Sequence, residues 1–242
     1  MSPAPPDLLH GIELLIFDKD GTLIEFHLMW GGWVDQLARR LEAETGLPLR
    51  DGLYPLLGVE ETSGRVLAHG LMAATPMRRI REVVESYVAE AGAGAAAAAA
   101  VESAWHAPDP VALAQPVTDI PALFARLRNR VPRFAVATSD DRGPTVRTLE
   151  ALGIATEFAA LSCADDGRPT KPAPDPVLHL CAELGVPPER TAVVGDAPAD
   201  LRMARAAGVA RAIGVLTGVG DRATIEPLAD VVLDSIADLA PA

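Results

Sequence analysis

The sequence predicts an α/β fold: a parallel sheet with helices on both faces, interrupted after its first strand by a helical block. Three observations carry that expectation. Over the second half of the chain, short apolar runs alternate with helical stretches of about ten residues. One further apolar run, Ile12–Phe17, stands alone far upstream. Between the two, from about 24 to 112, helix-compatible stretches follow one another without a convincing buried strand.

Residues 1–11 are Pro-rich and read as a short arm. Ile12–Phe17 is apolar except for Glu13 and stops at Asp18, as a buried strand does. Trp33–Glu44 and Met77–Glu90 carry helical patterning. Residues 91–100, AGAGAAAAAA, combine alanines that favour helix with Gly92 and Gly94 that oppose it. They are expected to be a frayed helix, or a linker that becomes helix. The Pro- and Asp-rich run 107–119 reads as a return linker.

From there the alternation is regular. Helices are expected at Ile120–Arg130, with Thr118 or Asp119 as cap, and at Thr145–Leu152, Asp175–Leu184 and Ala199–Ala207. Strands are expected at Arg133–Ala137, Glu157–Ser162, Thr191–Val194, Ala210–Leu216 and Val231–Leu233. The helical block is an insertion, because a strand of the sheet precedes it. The expected organisation is a core of 1–23 with 113–242, and an inserted helical domain of 24–112.

Composition narrows the function. About half of the 242 residues are hydrophobic, enough for a sizeable core. The formal charge of −12 argues against a nucleic-acid partner, which requires a basic face. It also repels an anionic substrate, so a local cation has to overcome it. No stretch has the pattern of a secretory signal or the roughly 20 apolar residues of a membrane helix. A soluble, cytoplasmic protein without a membrane partner is expected, as monomer or homodimer. Cys163 and Cys181 make no disulfide framework and are expected to be buried thiols. The histidines form no metal-like pair.

Polar residues stand just beyond the predicted strands: Asp18 and Asp20 after the first, Thr138 and Ser139 after Arg133–Ala137. Lys171 lies on the loop following 157–162, and Asp196 and Asp200 follow Thr191–Val194. In an open α/β sheet, ligands bind beyond the carboxyl ends of the strands, so residues far apart in sequence can converge there. Carboxylates brought together repel by about 4 kcal/mol per pair at ~4 Å and an effective dielectric of about 20. A hard divalent ion relieves that repulsion, and magnesium suits carboxylates, waters and a substrate phosphate. Thr138 offers a hydroxyl donor, and Lys171 a positive charge for an oxyanion. Lys19 and Lys171 are the chain's two lysines among 21 basic residues, which singles them out. An EF-hand reading of Asp18-Lys19-Asp20 fails, since Leu23 stands where glycine is required and Met29 where the last glutamate belongs.

Asp18-Lys19-Asp20-Gly21-Thr22-Leu23 resembles the first motif, DxDGT, of the haloacid dehalogenase superfamily. Thr138 after an apolar strand is similar to the second motif, Lys171 before Pro172 to the third, and Gly195–Asp200 to the fourth, GDxxxD. The helical block falls where the phosphoglycolate-phosphatase-like branch carries its cap. One departure is Ala197, where members of this branch often carry Ser or Thr.

The resemblance implies a Rossmann-like core with a helical cap, and a magnesium-dependent phosphatase of small phosphorylated metabolites. Phosphoglycolate, a sugar phosphate and pyrophosphate are the candidate substrates. It implies Asp18 as nucleophile and Asp20 as acid and base. Thr138, Ser139, Lys171 and Gly21 would hold the phosphoryl group, and the metal would sit between Asp18, the Asp20 backbone carbonyl and Asp196, with Asp200 as a direct ligand or a support behind them. Lys19, at the variable position of DxD, is expected to be solvated or to lie behind the reacting groups. Phe26, Trp30 and Trp33 are expected to pack a hinge or to read a substrate's organic part, and His27 to pack or touch substrate. Asp20 argues against a carbon-attacking dehalogenase. A phosphomutase, or a silent module that binds phosphate or metal, are the alternatives.

Overall fold

The computed structural model describes residues 7–67, 70–75, 77–106 and 114–240. The chain forms two compact units, Met1–Glu25 with Ala114–Ala242, and Phe26–Leu113. The first opens with β1 (Leu14–Phe17), whose four side chains are all buried. After it the chain passes into the helical unit.

That unit contains α1 (Phe26–Thr45), α2 (Arg50–Leu57), α3 (Leu71–Ala74), α4 (Met77–Val88) and α5 (Ala97–Ala104). Along α1 the apolar residues Phe26, Met29, Trp33, Val34, Leu37 and Leu41 recur at helical spacing and are buried. In α4, Ile80, Val84 and Val88 do the same. Between α4 and α5 the backbone leaves the α-helical path in a π turn at Ala89–Ala93 and a 3-10 turn at Gly94–Ala96. Gly92 and Gly94 have φ of 130° and 53°, conformations that alanine resists. The alanine-rich stretch therefore becomes regular helix only from Ala97, as a linker that turns into helix. Of the return linker expected at 107–119, residues 107–113 lie outside the described residues.

The core resumes with α6 (Ile120–Leu127), capped by the Asp119 carboxylate, which accepts from the Ala122 N–H at 3.0 Å. There follow β2 (Arg133–Ala137), α7 (Arg142–Ala151), β3 (Phe158–Ser162), α8 (Asp175–Leu184) and β4 (Thr191–Gly195). The chain ends with α9 (Pro198–Ala207), β5 (Arg211–Val215), α10 (Arg222–Ile225) and β6 (Val231–Leu233). Gly185 and Gly208 end α8 and α9 in the left-handed conformation. In this unit every expected element appears in the expected order, and α10 is one that was not expected. α7 starts three residues before Thr145 and α6 ends three before Arg130, while in the helical unit α1 starts seven residues before Trp33.

The six strands are parallel in the order β3-β2-β1-β4-β5-β6. β1 is central, with Phe17 opposite Val136 on one side and Val194 on the other. Connections run outward from β1 in both directions, so the topological switch point lies between β1 and β4. Side chains alternate across the sheet. Leu15 and Phe17 join Phe134, Val136 and Val194 on the face covered by Ile120, Phe124 and Leu127 of α6 and Leu149 of α7. Leu14 and Ile16 join Ala135 and Val193 on the face covered by Val177 and Leu180 of α8 and Leu201 and Ala204 of α9. The fold is thus an α/β sheet with helices on both faces, of Rossmann-like topology.

Phe124 is the centre of the first face. Its ring centroid lies 4.9 Å from Phe134, 5.3 Å from Phe17 and 5.3 Å from Phe158. Phe124→Ala is expected to cost about 3–5 kcal/mol of stability, the range for emptying a buried aromatic site. Urea denaturation of the variant checks this, with the midpoint falling and the slope unchanged.

Candidate active site

β1 and β4 bring two acidic loops to adjacent positions. The Asp18 N–H donates to the Val194 carbonyl at 2.9 Å, carrying the ladder one residue past the end of β1. The chain then folds tightly back. Leu23 and Ile24 N–H groups donate to the Lys19 carbonyl at 2.8 and 3.1 Å, and Gly21 N–H to the Ile24 carbonyl at 2.8 Å. Gly21 has φ of 91°, and a Cβ there would lie 2.6 Å from the Asp196 carboxyl carbon. Both backbone conformation and space therefore demand glycine.

Asp18, Asp196 and Asp200 are buried, and each offers a carboxylate oxygen within 4.8 Å of the others. Lys171 enters this group from the loop after β3. Its Nζ lies 2.5 Å from Asp18 Oδ1 and 2.6 Å from Asp200 Oδ1. Asp200 also accepts, through Oδ2, from the Ala197 N–H at 3.0 Å at the start of α9. Ala197 thus contributes to the site through its backbone. Asp196 has no ion pair among the described residues; its oxygens meet Val219 N–H at 2.8 Å and Thr22 Oγ1 at 3.4 Å.

The electrostatics follow from burial. Loss of water pushes the Asp18 carboxyl upward, Lys171 pulls it back, and Asp200 pushes it up again. Burial raises Asp196 well above the usual carboxylate range, and Asp18 and Asp200 reinforce it. Burial opposes the charge on Lys171, but Asp18 and Asp200 outweigh it and hold the ammonium above its ordinary value. This is a set of hard oxygen donors with an excess of negative charge, which a divalent cation could occupy.

Asp20 faces a different cation. Lys19 Nζ is 2.6 Å from both Asp20 oxygens and 2.9 Å from Asp140 Oδ2. Burial lifts the Asp20 carboxyl to about 6, with Lys19 lowering it and Asp140 and Asp18 raising it. Of the two expectations for Lys19, solvated or behind the reacting groups, the first fails, since it is 1% exposed. Two carboxylate partners, Asp20 and Asp140, hold it in, where a surface turn would have left it in water.

The remaining expected residues divide. Thr138 is buried at the end of β2, and its Oγ1 accepts from the Asp140 N–H at 3.1 Å, leaving its own hydrogen to donate. Ser139, next in the chain, is exposed. In the helical unit, His27 Nδ1 accepts from the Val66 N–H at 3.2 Å. Trp33 is fully buried there, donating to the His106 carbonyl at 3.0 Å and packed edge-on against Trp105. Phe26 is buried and Trp30 half-buried, with ring centroids 6.1 Å apart. Cys163 and Cys181 are buried free thiols, as expected.

Sequence reasoning missed Asp140 and the loop after β5, Thr217–Gly220. Thr217 Oγ1 donates to the Gly21 carbonyl at 2.5 Å, and Gly220 N–H to the Asp196 carbonyl at 3.1 Å. A Cβ at Gly218 would come 1.9 Å from Asp196 Oδ2. The loop is a brace for Asp196. Its signal was present, since two glycines, Gly218 and Gly220, stand within five residues of the end of an apolar strand.

Comparison with known proteins agrees with this geometry. The family model described as haloacid dehalogenase-like hydrolase matches residues 12–208. Phosphoglycolate phosphatase of Rhodospirillum rubrum is 32% identical over 197 residues, 81% of this chain and 77% of that protein. Phosphoglycolate phosphatase of Escherichia coli K12 is 38% identical over 95 residues, 39% of this chain and 37% of that protein. A subfamily IA hydrolase of the same superfamily from Geobacter sulfurreducens matches in structure with a TM-score of 0.67 at 19% identity, covering 95% of both chains. A hydrolase from Deinococcus radiodurans, solved with bound phosphate and sodium, matches with a TM-score of 0.67 at 21% identity, covering 95% of this chain and 93% of that one. At those identities the structural likeness speaks for the fold, and the sequence matches speak for the family. The chain belongs to the haloacid dehalogenase-like hydrolases, in their phosphoglycolate-phosphatase-like branch.

Proposed function

We propose that this hydrolase is a magnesium-dependent phosphatase of a small phosphate monoester, acting through an aspartyl-phosphate on Asp18. The observation that carries the reading is the buried Asp18 carboxylate, held by Lys171 at 2.5 Å beside the surplus acids Asp196 and Asp200. A carboxylate so placed is oriented and partly neutralised for attack on phosphorus. The similarity to phosphoglycolate phosphatases supports a phosphoglycolate-like ester as the first substrate to test. Pyrophosphate and sugar phosphates are the next.

In the first step an Asp18 oxygen bonds to phosphorus, the bond to the alcohol oxygen breaks, and Asp20 gives that oxygen a proton. In the second, Asp20 takes a proton from water, the water oxygen bonds to phosphorus, and Asp18 is released. Lys171 and the Thr138 hydroxyl hold phosphoryl oxygens through both steps, and Gly21 allows the backbone to approach them. Lys171 also opposes the upward push that burial gives the attacking carboxyl. Ser139, exposed in the free enzyme, would contribute through its backbone or on substrate binding. The side chains of Asp18, Asp196 and Asp200, with the Asp20 backbone carbonyl, would hold magnesium. When bound, the ion supplies positive charge to the site and to the phosphoryl oxygens.

The helical unit is read as a cap that closes over bound substrate and keeps water out. Its connection to the core supports this reading. Glu25 N–H donates to the Gln115 carbonyl at 2.8 Å and Val117 N–H to the Leu23 carbonyl at 3.1 Å, so the unit leaves and returns along paired segments a few residues from Asp20. On this reading the substrate is a small metabolite and not a phosphoprotein.

Phosphate release from phosphoglycolate, sugar phosphates and pyrophosphate tests the reading. Turnover is expected with magnesium, and its loss with chelator. Asp18→Asn is expected to lower kcat by at least about 10³-fold, since the nucleophile itself is gone. Turnover by that variant at the native rate would sink the aspartyl-phosphate mechanism.

A second measurement concerns the metal. Asp196→Asn takes one of three crowded acids out of the set while keeping an oxygen for the Val219 N–H. Its melting temperature in chelator is expected to exceed the native value, by about 2–4 °C for each kcal/mol relieved. Magnesium should stabilise the native chain and not the variant. Calorimetry with and without the ion decides both points, and an equal magnesium effect in the two would remove Asp196 from the metal set.

A further inference from the structure

Lys19 is the charged residue that the four motifs leave without a task. Its ammonium has three hydrogens, and three carboxylate oxygens stand ready for them: both from Asp20 at 2.6 Å and one from Asp140 at 2.9 Å. Asp140 is itself fixed at the end of β2. Its N–H donates to Thr138 Oγ1 at 3.1 Å, and its carbonyl accepts from the Ala164 N–H at 2.9 Å. Lys19 therefore ties the Asp20 side chain of the first loop to a fixed post on the second.

Asp20 needs such a tie. Its carboxylate has two side-chain torsions to wander through, and among the described residues its side-chain hydrogen bonds all come from Lys19. Asp18 and Asp140 both repel it. Proton transfer, by contrast, requires the carboxyl within about 2.6–3.2 Å of the oxygen it serves. The two lysines of the chain split the acids between them. Lys171 holds Asp18 and Asp200, while Lys19 holds Asp20 and Asp140.

We propose that Lys19 is a positioning residue, which with Asp140 as its anchor holds the Asp20 carboxyl where it can hand a proton to the departing alcohol. The inference rests on the phosphatase reading above and deepens it. Lys19 forms no bond to substrate; it fixes the group that does the proton transfer. A lysine that merely filled space or balanced charge would matter equally for every ester.

Leaving groups separate the two roles. A p-nitrophenolate departs with little need of a proton, whereas an alkoxide such as that of glycolate needs one. The value of kcat/KM reports the steps up to departure of the alcohol, so hydrolysis of the aspartyl-phosphate does not enter it. Both esters are measured with magnesium for the native chain, Lys19→Met and Asp140→Asn, with circular dichroism as the folding check. For Lys19→Met, kcat/KM on phosphoglycolate is expected to fall about 100-fold, within the range for general acid catalysis, mostly in kcat. On p-nitrophenyl phosphate it should fall less than about threefold. Asp140→Asn should lower the phosphoglycolate value about three- to tenfold and leave the aryl value within twofold. Equal losses on the two esters would overturn the proposal, as would no loss on either. If Lys19→Met does not fold, Asp140→Asn alone decides: its side chain is 42% exposed, and an unchanged ratio between esters overturns the proposal. A native chain that hydrolyses neither ester would instead refute the phosphatase reading, and this inference with it.

Discussion

Carboxylate crowding at the end of β1 and β4 is the constraint to which the site is built. Asp18, Asp196 and Asp200 hold oxygens within 4.8 Å of one another in a buried place. At that limit each ionised pair would repel by about 3.5 kcal/mol or more, taking an effective dielectric of about 20. Such a cluster persists only if its members are held from outside. Lys171 holds two of them, Val219 N–H holds the third, and the backbone of Ala197 fixes Asp200 from the opposite side. Glycine at 21 and 218 is a consequence of the same crowding, because the Asp196 carboxylate occupies the room a side chain would need.

The sheet makes this arrangement possible at modest cost. Loops at the carboxyl ends of adjacent parallel strands leave in the same direction, so acids 178 residues apart need only short segments to meet. The rigid parts lie beneath them. Phe17 directly precedes Asp18 and is locked among Phe124, Phe134 and Phe158. At the end of β4, Gly195 lets α9 lie close to the strand that leads into Asp196, since a Cβ there would lie 2.3 Å from Asp200 Cβ.

Much of this was legible in the sequence, and for physical reasons. Strands buried on both sides read as continuous apolar runs, so β1, β2 and β4 announce themselves, and polar residues at their ends stand out against them. Helix ends marked by Gly185 and Gly208 were equally plain. What could not be read was the partnership of side chains across loops. Nothing in the string says that Lys19 turns inward, because its partner Asp140 lies 121 residues away and looks like any turn acid. The brace at Thr217–Gly220 escaped for a related reason. It works through backbone N–H groups, which every residue has, and only the glycines hint at the close approach. Trp33 gave the opposite difficulty: an aromatic beside a motif suggests ligand contact, yet its indole is fully enclosed in the helical unit and bonded to a carbonyl.

The paired segments at Leu23–Glu25 and Gln115–Val117 bear on how the chain is put together. They bring the two ends of a long excursion side by side, held by backbone hydrogen bonds that require no particular side chain. To the sheet, an insertion of nearly ninety residues is then equivalent to a hairpin turn. The entropy of bringing β2 alongside β1 is that of a short closed loop once the excursion has folded on itself. The same junction makes the inserted unit exchangeable. A different helical module, or a brief turn, could be joined at these two points without disturbing a strand or the acidic loops of the core.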